Sequence, residues 1–123
     1  MGDIDVVHAF LEAWDRRDLD GAFALMSPDI VYKNTGFPDA VGHEGVRKTL
    51  GAMIDSGTAL TAVIHAIAAT GDGRVLTERT DTIHYPKGAV SIPVMGAFDI
   101  KDGQISGWRD YFDASPFKAA AGA

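Results

Sequence analysis

Trp108-Arg109-Asp110-Tyr111-Phe112-Asp113 decides how this chain folds. The stretch follows a turn signal, Lys101-Asp102-Gly103, and its residue types predict the last strand of a sheet. Strand side chains alternate between faces, so Trp108, Asp110 and Phe112 share one face and Arg109, Tyr111 and Asp113 the other. The first face is apolar apart from one carboxylate. A lone buried charge is costly, so another part of the chain must supply Asp110 with a partner.

The strand predicted at 74–85 offers one. Val75, Thr77, Arg79, Asp81 and Ile83 share a face, with Leu76, Glu78, Thr80, Thr82 and His84 opposite. Arg79 and Asp81 project side by side, roughly 6–7 Å apart along the strand. Val75 and Ile83 turn that face inward. Two strands can then bring one Arg and two Asp into an apolar cavity, where a guanidinium has donors enough for both carboxyls. Such a group carries one net negative charge unless one Asp keeps a proton. Burial and the like charge favour that proton, and Arg79 opposes it. One ionised and one protonated Asp are a base and an acid in the same site. The competing reading is a buried ion-pair network that holds the sheet together.

Working outward, strands are predicted at 59–69, 89–100 and 104–112, joined by turns at Gly71-Asp72-Gly73, Pro86-Lys87-Gly88 and Lys101-Asp102-Gly103. Pro93 marks an edge or a bulge in its strand. Ile30-Val31-Tyr32-Lys33-Asn34 is a shorter strand that places Tyr32 and Asn34 on one face with Ile30. Thr35 to Gly42 is a loop by its Gly and Pro content. Helices are predicted at 4–16, with Ile4, Val7, Phe10, Leu11 and Trp14 inward and Asp3 as N-cap; at 19–26, capped by Asp18, with Leu19, Phe23 and Met26 inward; and at 43–55. Ser27-Pro28-Asp29 stops the second helix. Helices followed by hairpins give an α+β order, with N-terminal helices packed on a strongly curved mixed or antiparallel sheet and the pocket on its concave side.

The 123 residues make one domain, 1–123, with a frayed tail at 118–123. The net charge of -6 argues against nucleic acid or an anionic membrane surface as partner. There is no cysteine, which excludes a thiol nucleophile and a thiolate metal site. No apolar run spans a bilayer. Asp3 and Asp5 stand where a signal peptide would be basic, so a cytoplasmic location is expected. His8, His43, His65 and His84 have no metal-site spacing. Asp39 and Asp99 read as exposed acids in a loop or at a strand edge.

Tyr32-Lys33-Asn34, Arg79-Thr80-Asp81 and Trp108-Arg109-Asp110-Tyr111-Phe112-Asp113 together resemble the three motifs of the limonene-1,2-epoxide hydrolases. The resemblance runs from the first helix to Phe117. It implies the cone-shaped fold shared with nuclear transport factor 2 and the polyketide cyclases, and a homodimer. It also implies roles. Asp110 would be the base that deprotonates water, Asp81 the acid that protonates the epoxide oxygen, and Arg79 the bridge between them. Tyr32 and Asn34 would hold the water with Asp110. The epoxide would open to a vicinal diol in one step, without covalent intermediate, cofactor or metal. Met26, Ile54, Ile83, Met95, Trp108, Phe112 and Phe117 are candidate pocket walls, an apolar lining suited to a hydrophobic cyclic or terpene-like epoxide. The alternatives are a polyketide-type cyclase or isomerase, an epoxide-opening cyclase, and a non-catalytic small-molecule-binding protein.

Overall fold

The computed structural model describes residues 2–55 and 58–116, without the side chains of 52–55. The expectations for Ile54, Phe117 and the tail at 118–123 lie outside the described residues and side chains.

Helix α1, Asp3–Asp15, buries Val6, Val7, Phe10, Leu11, Ala13 and Trp14, the stripe that its 3.6-residue period sets up. Its N-cap is Gly2 rather than Asp3, and the Gly2 N–H donates to Asp5 Oδ2 at 3.1 Å. Asp18 caps α2, Leu19–Ala24, accepting from the Gly21 N–H at 2.9 Å. Strand β1, Met26–Asn34, starts earlier than the sequence predicts. Met26 is its first residue and not the end of a helix, because it already pairs with Ile105 of the last strand. Ser27-Pro28-Asp29 falls inside β1, in an irregular stretch between Met26 and Val31. Pro28 has no N–H for a ladder, and the irregularity accommodates it.

The short edge strand β2, Ala40–Val41, pairs with β1 and is absent from the sequence reading. Two residues carry no periodicity. Helix α3 spans Gly42–Asp55. Then come β3 (Ala59–Ala69), β4 (Arg74–Tyr85), β5 (Gly88–Lys101) and β6 (Gln104–Tyr111), close to their predicted bounds. Asp102 and Gly103 both have positive φ, the backbone of the tight two-residue turn joining β5 to β6.

The strand order is β2-β1-β6-β5-β4-β3. β1 runs parallel to β6 and every other pair is antiparallel, so the sheet is mixed and open. Pro93 lies in β5, an interior strand of the sheet, but at a local edge of it. β5 outruns β6 there, since pairing with β6 begins only at Met95↔Tyr111. Helix α1 packs on β3, β4 and β6, and α3 on β1 and β2.

Between helices and sheet lies an aromatic core. The Phe10 ring meets Trp108 edge-on at 5.0 Å and also contacts Trp14 and Phe98. Phe10 is fully buried. Phe10→Ala is expected to cost about 3–5 kcal/mol of stability, read as a lowered urea midpoint, because the cavity is ringed by stiff aromatic side chains. A loss below about 1 kcal/mol would mean that the helix does not lean on this ring.

Candidate active site

Arg79 sits at the centre of the inner face of β4 and is 1% exposed. Its guanidinium grips Asp81 through two parallel bonds, Nε to Oδ1 at 3.0 Å and Nη2 to Oδ2 at 2.8 Å. The same Nη2 donates to Oδ1 of Asp110 on β6 at 3.1 Å. Nη1 donates to Thr77 Oγ1 at 3.0 Å. The second oxygen of Asp110, Oδ2, accepts the indole N–H of Trp108 at 3.2 Å. Both carboxyls are buried. The bidentate fork is the strong geometry for an Arg–carboxylate pair.

The parallel pairing of β1 with β6 places the remaining polar groups. Tyr32 stands beside Trp108 and Asn34 beside Asp110. The Tyr32 ring stacks on Trp108 with centroids 3.9 Å apart. Thr35 ties this end of β1 to β6, since its N–H and its hydroxyl both donate to the Asp110 carbonyl, at 3.2 and 2.8 Å.

Burial raises the pKa of Asp110, Arg79 opposes the rise and Asp81 adds to it, and the outcome is about 6. Burial also works against the Arg79 charge, yet bonds to Asp81 and the charges of both carboxyls outweigh it, holding the guanidinium above its usual range. Burial first, then Asp110 and Asp81, keep the Tyr32 hydroxyl protonated well above its ordinary value. Asp110 is therefore ionised at neutral pH but more basic than a free carboxylate. One cation and two carboxyls are neutral when they share one proton, so the cluster is suited to proton transfer.

The structure thus brings Arg79, Asp81, Asp110, Tyr32 and Asn34 to one face of the sheet. Ile83 lies buried on that face of β4, Trp108 forms its floor, and Phe112 is half-buried just beyond β6. Met26 is in the core at the far end of β1. Met95 is not brought to the cluster. It faces the outer side of the sheet, 52% exposed, between Glu78 and Tyr111. Alternation in β5 sends Ile92, Val94, Gly96 and Phe98 inward, so Met95 must point out. Ile92, beside Asp81, and Val94, beside Arg79, take the place expected of it.

Of the two places expected for Asp99, the structure gives the strand and not the loop, with the side chain partly exposed. It lies within β5 and accepts from Arg109 Nη1 at 2.6 Å and Arg74 Nε at 3.2 Å. Asp39 is exposed, with Lys33 at 3.7 Å. His43 donates to the Met26 carbonyl, and His65 and His84 bond Thr80 and Thr61. No group of three or more His, Cys, Asp or Glu side chains among the described residues is placed to hold a metal ion. Sequence reading assigned no role to Thr77 or Gly96. A glycine inside a strand, however, is a signal of close approach by another group.

Residues 1–121 match the family model of the limonene-1,2-epoxide hydrolase catalytic domain. Epoxide hydrolase EphG of Mycobacterium tuberculosis is 39% identical over 107 residues, covering 87% of this chain and 70% of the relative. A solved M. tuberculosis epoxide hydrolase of this type superposes with a TM-score of 0.83 at 38% identity, covering 94% of this chain and 86% of that one. An NTF2-like protein of Burkholderia pseudomallei superposes with a TM-score of 0.86 at 18% identity over the full length of both chains, a likeness of fold alone.

Two outcomes follow for stability. Arg79→Ala leaves two buried carboxyls without their bridge and is expected to cost about 3–5 kcal/mol in denaturant unfolding. Asp110 binds its proton more tightly folded, at about 6, than unfolded, near 3.8. Its contribution is therefore present below about pH 4 and is lost as pH rises through about 6. The stability of wild type relative to Asp110→Asn should fall by roughly 3 kcal/mol across that window. A constant difference from pH 4 to pH 8 would show that Asp110 is not held as described.

Proposed function

The chain belongs to the limonene-1,2-epoxide hydrolase family, and we propose that it hydrolyses a hydrophobic cyclic or terpene-like epoxide to a vicinal diol. The observation that carries this reading is Arg79 bridging Asp81 and Asp110 in a buried site, with Tyr32 and Asn34 on the strand beside Asp110.

The reaction proceeds in one step. Asp110, with Tyr32 and Asn34, holds a water and takes its proton as the oxygen attacks an epoxide carbon. The carbon–oxygen bond on that carbon breaks. In the reactive form the one proton that the trio shares sits on Asp81, which gives it to the departing oxygen, now the second hydroxyl. The proton gained by Asp110 then returns to Asp81 by exchange with solvent for the next turnover. No enzyme ester forms, and no cofactor or metal takes part. Arg79 remains a cation throughout and keeps both carboxyls in place. A base with a pKa near 6 is available at neutral pH yet accepts a proton better than an ordinary carboxylate. Acid and base sit on rigid strands, which keeps them aligned across the substrate. Buried Ile83, Ile92 and Val94 around the cluster support an apolar substrate.

The same family reading makes the protein a homodimer. Among the described residues no helix is long and apolar enough to cross a membrane. The outer face of the sheet exposes Val63, Leu76, Met95 and Tyr111, apolar area that a second copy can cover. A light-scattering mass of one chain at micromolar concentration would overturn the dimer.

The deciding experiment is hydrolysis of limonene oxide and cyclohexene oxide in oxygen-18 water. Wild type is expected to give diol with label entering the product in the first turnover and none in the protein. Asp110→Asn and Asp81→Asn should each lower turnover by at least about a hundredfold while remaining folded. The acid limb of kcat/KM should fall below about pH 6, where Asp110 becomes protonated. Unimpaired turnover by Asp110→Asn would sink the mechanism.

A further inference from the structure

Arg79 reaches Asp110 by crossing a whole strand. Arg79 is on β4, Asp110 is on β6, and β5 runs between them. Across that strand the residue paired with Asp110 is Gly96, and Gly96 is also paired with Thr77. The guanidinium therefore leans back along β4 from its own position toward Thr77 and passes over Gly96. A methyl group at Gly96 would stand 2.8 Å from Thr77 Oγ1 and 2.9 Å from Asp110 Oδ1, and would overlap Arg79 Nη1. Three polar groups thus meet above one Cα. Gly96 lies outside the left-handed backbone region, so what the site needs there is the missing side chain and not a special turn.

Thr77 secures the other side of the crossing. It is fully buried, its hydroxyl accepts from Arg79 Nη1 at 3.0 Å, and the Gly96 carbonyl lies 3.5 Å from the same oxygen. With the hydroxyl proton turned to that carbonyl, its lone pairs face the guanidinium.

We propose that Gly96 and Thr77 are positioning residues of this site: Gly96 opens the passage by which Arg79 reaches Asp110, and the Thr77 hydroxyl holds the guanidinium at the crossing. The inference rests on the acid–base reading of the site. Neither residue touches the reacting atoms. They act through Arg79, whose charge and hydrogen bond restrain the rise in Asp110 proton affinity that burial causes. A guanidinium displaced from the crossing leaves burial less opposed, and Asp110 should then titrate higher.

The test compares Gly96→Ala, Thr77→Val and Thr77→Ser with wild type. One readout needs no substrate: a carbon-13 NMR titration of the Asp110 carboxyl, with Asp110→Asn identifying the signal. The other is the pH profile of kcat/KM on a hydrolysed epoxide. Gly96→Ala and Thr77→Val are expected to raise the Asp110 midpoint by about one pH unit, with about a tenfold loss of kcat/KM on the acid limb. Thr77→Ser keeps the hydroxyl and should titrate as wild type. Folded Gly96→Ala and Thr77→Val proteins with unmoved midpoints would overturn the proposal. Should Gly96→Ala fail to fold, the isosteric Thr77→Val decides alone. Shifted midpoints in a protein that hydrolyses no epoxide would support the positioning roles and overturn the hydrolase reading instead.

Discussion

A guanidinium stripped of water between two carboxyls is the interaction on which this structure depends. Arg79 is as buried as any core valine, and at that depth an unpaired cation would be untenable. Asp81 and Asp110 make it tenable, and it does the same for them. Each pair of charges attracts more strongly here than in water, but desolvation removes much of that gain. The arrangement is therefore poor evidence for stability and better evidence for chemistry. One proton decides whether the trio is neutral or negative, and a site in which a single proton matters is one that can move protons.

That constraint propagates through the sheet. β4 must present residues 79 and 81 to the same face, which alternation provides. β6 must present 110 to that face, two strands away. β5, between them, must leave a gap, and Gly96 leaves it. Because Gly96 faces inward, its neighbours Met95 and Ala97 are carried to the other side of the pleat. β1 has to run parallel to β6 for Tyr32 and Asn34 to stand beside Trp108 and Asp110. A parallel neighbour needs a long crossover, and the chain between β1 and β6 provides it by building most of the sheet. The aromatic core lies below the site, where Phe10, Trp14 and Phe98 contact the Trp108 ring whose N–H donates to Asp110.

Much of this was legible in the sequence, for physical reasons that differ from place to place. Long strands with period-2 alternation and Gly-rich turns read clearly, and β3 through β6 fall close to their expected bounds. The cluster read clearly because charged residues on apolar faces have few explanations. What did not read was set by partners distant in sequence. Met26 is apolar and inward-facing in a helix or in a strand, and only its pairing with Ile105 makes it strand. β2 is too short for any period. Met95 lay one residue from the inner face, where a single step reverses direction. Asp99 read as an exposed acid of a loop or strand edge, and its ion pair came into view only when β6 delivered Arg109 beside it. The need for Gly96 depends on an arginine seventeen residues earlier and on an aspartate on a third strand.

The fold by itself does not choose the reaction. A neighbour at 18% identity superposes on the entire chain, so the helices and the curved sheet are compatible with many occupants of the inner face. An acid and a base joined by an arginine narrow the field to proton-coupled chemistry without distinguishing water from a substrate hydroxyl as the attacking group. On the reading proposed above, Tyr32 and Asn34 make that distinction. In a cyclisation the nucleophile arrives attached to the substrate and is oriented by the walls. In hydrolysis the nucleophile is a free water, and without fixed partners it has no preferred direction of attack. In that reading a carboxylate, an amide and a phenol grouped on adjacent strands would supply those partners. The Tyr32 ring is further constrained by its stack on Trp108, whose own N–H restrains Asp110. Tyr32 and Asp110 thus share one aromatic support, which fixes their mutual geometry.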